Sequence, residues 1–260
     1  MRGRTQRLVL RDSGPRRLIC VPFAGGSARS FTRLARELGE DWSVVAVQPP
    51  PPPGGHGRPP RPGDPEPLAL TALAEDYLRV LDGDLRGPGL LLGHSLGAAV
   101  AHEMARLRGA DWPLDLRVVL SAPPAMGASG GLHELTDHQL LYTARQRGIL
   151  PELPVSDDFV VRMLLPDFRR DLAVLRDGWH PAPVPASLAL LGGTEDEACP
   201  PGTLTALAEQ VGADSCGLVP GGHLYVVDRA AESAAALRAI DSGQSLLSPE
   251  AWRRASRRPA

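Results

Sequence analysis

Apolar residues along the chain alternate between short uninterrupted runs of strand length and longer stretches in which they recur every three or four positions. The first run is 17–21, Arg-Leu-Ile-Cys-Val, which stops at Pro22 and is followed by a glycine turn. Phe31, Leu34, Ala35 and Leu38 then repeat at helical spacing as far as Gly39, with Ser27 or Ser30 available as the cap. Residues 42–47 predict the next strand, and Leu70, Leu73, Tyr77, Val80 and Leu81 predict a helix. Leu90-Leu91-Leu92 is a strand with a helix over 98–108 directly behind it. Strands at 116–120, 188–191 and around Leu218-Val219, and a last helix over 226–240, complete the series. Strands separated by helices predict an α/β fold whose mostly parallel central sheet is covered by helices on both faces, because each crossover lays a helix against the sheet.

Two stretches break this rhythm. Residues 48–67 are dense in Pro and Gly, which neither continue a helix nor fit a central strand, so they read as a stiff surface loop. Between about 130 and 180 the apolar positions, Leu135, Leu140 and Leu141, then Phe159, Val160, Met163 and Leu164, are helical in spacing, and this is a helical insertion rather than a second sheet. The expected organisation is therefore one domain over 1–260, with a flexible Arg-rich tail over 241–260.

Composition narrows the function classes. With 43% hydrophobic and 22% charged residues the chain is an ordinary folded one despite its 27 prolines and 28 glycines. A net charge of −2 gives no basic face for nucleic acid. The N-terminal apolar run Leu8-Val9-Leu10 is far shorter than a signal peptide's, and no run approaches a membrane span, so a soluble, cytoplasmic protein with no membrane partner is expected. Cys20, Cys199 and Cys216 are an odd number at wide spacing, which suits neither a metal site nor a disulfide framework.

The chemistry gathers at Gly93-His94-Ser95-Leu96-Gly97, a G-x-S-x-G lying between a predicted strand and a predicted helix. That context is what a nucleophile elbow requires: a sharp turn that lifts a serine hydroxyl above the sheet edge, flanked by residues without side chains. Ser95 is the candidate nucleophile, and the simpler alternative is a serine that only caps the helix. A serine hydroxyl needs a base to take its proton and an acid to orient the base, in the chain order Ser, acid, His for this fold. His223, in Gly221-Gly222-His223 past a late strand, is the candidate base; His94 points elsewhere from an extended turn and reads as packing. The acid should follow the strand at 188–191, where Glu195, Asp196 and Glu197 are all available. Leu96 N–H, at a helix start beside the nucleophile, and Ala24 N–H, in Pro22-Phe23-Ala24-Gly25-Gly26, are the candidate oxyanion donors.

Taken in order, the motifs resemble one family, the type II thioesterases that accompany polyketide synthases and non-ribosomal peptide synthetases. The matching segments are Pro22-Phe23-Ala24-Gly25-Gly26-Ser27, Ala46-Val47-Gln48-Pro49-Pro50, the stretch 93–98, Gly192-Gly193-Thr194-Glu195-Asp196 and Pro220-Gly221-Gly222-His223. Leu135-Thr136-Asp137 and Asp167-Phe168-Arg169 in the insertion are similar to family segments too. The resemblance covers about 17–240 and implies an α/β-hydrolase fold, Ser95 as nucleophile, Asp196 as the acid, His223 as the base, and the insertion as a lid over an acyl chamber. It implies as substrate an acyl group on the phosphopantetheine arm of an acyl or peptidyl carrier protein, removed without metal or cofactor; a monomer is expected. Where the family continues into a short Gly-Arg-Glu turn, this chain has its Pro-rich loop. The resemblance leaves two other readings to be tested: an esterase or acyltransferase of the same fold, and a non-catalytic protein that binds carriers or acyl ligands.

Overall fold

The computed structural model describes residues 4–51, 56–57, 67–124 and 132–244. Its strands are β1 (Gln6–Arg11), β2 (Arg16–Val21), β3 (Trp42–Gln48), β4 (Gly89–His94), β5 (Leu116–Ser121), β6 (Leu188–Gly193) and β7 (Ser215–Val219). They form one seven-stranded sheet in the order β1-β3-β2-β4-β5-β6-β7, parallel throughout except for the antiparallel pair β1/β3. The helices are α1 (Thr32–Glu37), α2 (Leu70–Leu81), α3 (Leu96–Arg108), α4 (Asp137–Gln146), α5 (Asp157–Met163), α6 (Leu165–Leu172), α7 (Pro201–Val211), α8 (Tyr225–Asp228) and α9 (Ala230–Asp241).

Every residue of β4 and of β6 is buried, which is why both read as unbroken apolar runs rather than alternating ones. Helix α3 is buried from Leu96 to Ala105, so it lies inside the protein and not on its surface. Each fully buried Leu of β4 contributes roughly 1.5–3 kcal/mol relative to exposure. The predicted strands 2 to 7 of the sheet are all present, a residue or a few longer than their apolar runs. Strand β1 is the addition: its outer position leaves Gln6, Arg7 and Val9 exposed, and only Leu8 and Leu10 pack, half-buried, against the core, so it shows no unbroken buried run.

The last helix departs from expectation. Instead of one helix over 226–240, α8 and α9 are separated at Arg229, whose backbone (φ −119°, ψ 51°) is not helical. The insertion between β5 and β6 carries α4, α5 and α6. Thr136 Oγ1 accepts the Gln139 N–H (3.4 Å) at the start of α4, and Ser156 Oγ accepts the Phe159 N–H (3.3 Å) at the start of α5. The two insertion segments quoted above meet directly, since Arg169 donates to Asp137 Oδ1 (2.7 Å) and to the Leu135 carbonyl (2.8 Å). Most of the Pro-rich stretch, and the tail beyond residue 244, lie outside the described residues. Of that stretch, His56 Nδ1 sits 2.6 Å from Asp167 Oδ2 on α6.

Topology locates the functional crevice. From β2 the chain moves outward to β3, then returns to the other side of β2 with β4 and builds β5, β6 and β7 in the opposite direction. At such a reversal the loops leaving the carboxyl ends of the two adjacent strands part in opposite directions and open a cleft. Here those loops are the turn after Val21 and the turn at Ser95.

Candidate active site

Ser95 joins β4 to α3 with φ 53° and ψ −119°, a conformation that costs a non-glycine residue about 1–3 kcal/mol. Its neighbours hold it there. Ser95 N–H donates to the Ser121 carbonyl (2.8 Å), and Ala98 N–H donates to the Ser95 carbonyl (2.8 Å). A Cβ on Gly97 would stand 2.3 Å from the Val21 carbonyl oxygen and 2.7 Å from that of Pro22; one on Gly93 would stand 2.0 Å from the Gly97 oxygen. Both glycines of the motif are required by close approach of main chain to main chain.

The loops after β6 and β7 bring the other two groups over Ser95. His223 Nε2 is 3.0 Å from Ser95 Oγ, and its Nδ1 is 2.9 and 3.1 Å from the Asp196 carboxylate oxygens. Asp196 Oδ1 also accepts the backbone N–H groups of Ala198 (2.9 Å) and Cys199 (2.8 Å). An acceptor-only carboxylate fixes Nδ1–H as the donor, which leaves Nε2 as the acceptor for the serine hydroxyl. Asp196 and His223 are buried, while Glu195 and Glu197 on either side of the acid are exposed. The two loops are stitched together: Thr194 N–H donates to the Val219 carbonyl and Glu195 N–H to that of Gly221, each at 2.9 Å.

His94 makes no contact with Ser95 as a base. It is fully buried, with its ring 5.5 Å from Phe23 and 5.4 Å from both His223 and Tyr225. Burial, and next the charge that His223 can carry, push its pKa well below the usual imidazole value, so it stays neutral. Its Nδ1 lies 2.9 Å from Ser121 Oγ, which contacts the Tyr225 hydroxyl (2.5 Å), and that hydroxyl donates to the Leu191 carbonyl (3.0 Å). Counting protons orders the chain: Tyr225 spends its one on Leu191, so Ser121 must donate to Tyr225 and His94 Nδ1–H to Ser121. This buried relay supports the wall behind His223. Neither Ser121 nor Tyr225 is singled out by sequence alone; the register pairing of His94 with Ser121 across β4/β5 is the signal that finds them.

Ser95, His223, Ala24 and Leu96 line one cavity of about 100 Å3. The rest of its wall is mainly apolar, with Leu132, Ile149, Leu172, Leu175 and Trp179 from the insertion and the segment after it. Leu96 is the first residue of α3 and has no intrahelical acceptor for its N–H. Trp179 is held by His102 of α3, which accepts its indole N–H at Nδ1 (3.4 Å) and donates from Nε2 to the Ala182 carbonyl (2.8 Å). The arrangement places a serine hydroxyl within hydrogen-bond reach of a histidine whose other ring nitrogen meets a buried carboxylate, beside a largely apolar cavity that Ala24 and Leu96 also line.

A thioesterase-domain profile matches residues 16–241. The chain belongs to the thioesterase family. Among its relatives, Thioesterase PikA5 of Streptomyces venezuelae is 30% identical over 220 residues, spanning 82% of this chain and 76% of that one. The gramicidin S biosynthesis protein GrsT of Aneurinibacillus migulanus is 26% identical over 219 residues, spanning 82% and 83%. Among solved structures, the type II thioesterase BorB from the borrelidin biosynthetic cluster superposes with a TM-score of 0.70 at 29% identity, covering 91% of this chain and 96% of that one. The family resemblance read from the ordered motifs thus extends over the α/β-hydrolase fold as a whole. Among the described residues of this thioesterase-family chain, no helix is long and apolar enough to cross a membrane. Its three cysteines are free, and burial pushes the Cys199 thiol up to about 12 and that of Cys216 to about 11. In the insertion, Arg169 is ion-paired with Asp137, and Arg170 lies 3.3 Å from Asp171 and 3.7 Å from Asp167.

Proposed function

We propose that this chain is a type II, editing thioesterase that hydrolyses acyl groups from the phosphopantetheine arm of an acyl or peptidyl carrier protein in polyketide or non-ribosomal peptide biosynthesis. The observation that carries the reading is the hydrogen-bonded series Asp196, His223, Ser95 opening onto an apolar cavity in a thioesterase-family fold.

Ser95 Oγ attacks the thioester carbonyl as its proton passes to His223 Nε2, and Asp196 stabilises the imidazolium. The carbonyl oxygen gathers negative charge, which Ala24 N–H and Leu96 N–H stabilise by donating hydrogen bonds to it. When the C–S bond breaks, the proton on His223 goes to the departing pantetheine sulfur, leaving an acyl ester on Ser95. Water then gives a proton to His223 and attacks that ester, and the carboxylic acid leaves as Ser95 recovers its proton. The insertion with α4, α5 and α6 serves as the lid of the acyl chamber. An apolar cavity of ~150 Å3 holds a benzene molecule, so one of about 100 Å3 suits a short acyl group.

The experiment is release of a short acyl group from a phosphopantetheinylated carrier protein, beside the matching free oxygen ester, by wild type and Ser95→Ala. Faster turnover of the carrier thioester, abolished in the variant, is expected. Equal or faster turnover of the oxygen ester would replace this reading with a general esterase, and undiminished activity in Ser95→Ala would remove Ser95 from the chemistry.

A further inference from the structure

Asp171 lies on α6, apart from the series of Ser95, His223 and Asp196, yet its carboxylate reaches the turn that follows β2. Gly26 N–H donates to the Phe23 carbonyl (2.8 Å), closing a four-residue turn over Phe23-Ala24-Gly25-Gly26. Gly25 has φ +73° while Ala24 keeps a negative φ, the signature of a type II turn, in which the third residue is left-handed and favours glycine. Types I and II differ by a half-rotation of the central peptide, here the one between Ala24 and Gly25. The N–H of that peptide, on Gly25, donates to Asp171 Oδ2 at 2.9 Å. Rotated to the other form, the peptide would turn its N–H away from the carboxylate and bring its carbonyl dipole round instead. Asp171 therefore selects the type II orientation.

The surroundings hold the carboxylate in place. Its other oxygen, Oδ1, receives Arg170 Nη2 at 3.3 Å, and its side chain is only 21% exposed. Phe168, on the same helix, lies 3.6 Å from where a Gly25 Cβ would stand, so α6 covers the turn from that side. Burial pushes the Asp171 carboxyl above the usual range, with Arg170 and the Gly25 N–H pulling it back down.

We propose that Asp171 is a positioning residue for the oxyanion hole: by anchoring the turn at Gly25 N–H, it holds the backbone of the preceding residue, Ala24, in place at the cavity it shares with Ser95, and so ties α6 of the lid to the chemistry. The inference rests on Ser95 as nucleophile, and it is independent of whether the substrate is a carrier thioester.

The test compares wild type, Asp171→Ala and Asp171→Asn on a chromogenic short-chain ester, with two binding measurements alongside. An alkylboronic acid, which adds to Ser95 and mimics the tetrahedral oxyanion, reports the hole; the short carboxylic acid product reports the chamber. For Asp171→Ala, kcat and boronate affinity should both fall about 10–100-fold, short of the 10²–10³ for outright loss of a donor, while KM and product affinity change less than about threefold. Asparagine still offers a carbonyl acceptor to Gly25 N–H and should recover most of that loss. If Asp171→Ala does not fold, Asp171→Leu, of similar size and without an acceptor, takes its place with the same expectation. A variant that melts earlier yet keeps the wild-type kcat and boronate affinity would overturn the proposal and leave Asp171 a fold anchor. A wild-type protein that forms no boronate adduct at Ser95 would overturn the nucleophile assignment and this inference with it.

Discussion

Replacing Asp196 by Asn should abolish the base without disturbing the fold, and the geometry dictates how. Asp196 Oδ1 accepts two backbone N–H groups, from Ala198 and Cys199, and lies 3.1 Å from His223 Nδ1, whereas Oδ2, which takes no backbone donor among the described residues, is the nearer to Nδ1 at 2.9 Å. An asparagine placed the other way round would press its NH2 against two fixed donors, so its carbonyl oxygen must take the Oδ1 position and its NH2 the Oδ2 position. The NH2 then donates to Nδ1, and the imidazole shifts its proton to Nε2. Nε2–H would point at Ser95 Oγ, 3.0 Å away, as a donor where an acceptor is required. A base locked in the wrong tautomer costs about 10⁴ in kcat, or about 5.5 kcal/mol of transition-state stabilisation. Glu195→Gln and Glu197→Gln, both at exposed positions, should stay within about threefold of wild type. The assay is stopped-flow acylation of Ser95 with a chromogenic ester, with urea unfolding to check that Asp196→Asn is folded. A loss of less than tenfold in Asp196→Asn, or a large one in either glutamate variant, would refute the assignment of the acid.

Two further outcomes are expected. Gly97→Ala should lower stability by about 1–3 kcal/mol and slow Ser95 labelling, because the new Cβ would meet the Val21 and Pro22 carbonyl oxygens at 2.3 and 2.7 Å and neither can rotate away; a wild-type urea midpoint would disprove this. Stability should also fall as the pH drops below about 6.5: His94 and His102 both have their pKa lowered by burial, so between the folded and unfolded values the unfolded chain binds protons that the native one refuses. Each such histidine contributes at most about 1.4 kcal/mol per pH unit, fully present above the unfolded value and lost on acidification, and urea titrations from pH 7.5 to 5 with a flat result would contradict the burial argument.

Local pattern carried the strands of the sheet core because β2 to β6 are largely buried and so declare themselves as apolar runs, while of the half-buried outer strand β7 it showed only the end, Leu218-Val219. It could not carry β1, whose outer position leaves Gln6, Arg7 and Val9 exposed, nor the break at Arg229, which falls inside a stretch with continuous helical spacing. The motif around Ser95 was legible for a steric reason, since only glycine tolerates the close approach at 93 and 97. Among the three neighbouring acids, residue types alone were neutral: Glu195, Asp196 and Glu197 have the same chemistry, and the resemblance to a family singled out the middle one.

What the sequence determined by itself is what neighbouring residues impose on one another: the alternation of strand and helix, the elbow, the helical insertion and the order of serine, acid and histidine. Tertiary structure decided the rest. It buried Asp196 against His223 and left Glu195 and Glu197 in water, it ordered the relay from His94 through Ser121 and Tyr225 to Leu191, and it set Asp171 against Gly25. These contacts join residues far apart in the chain, and their geometry follows from how the layers pack, so no local periodicity could encode them.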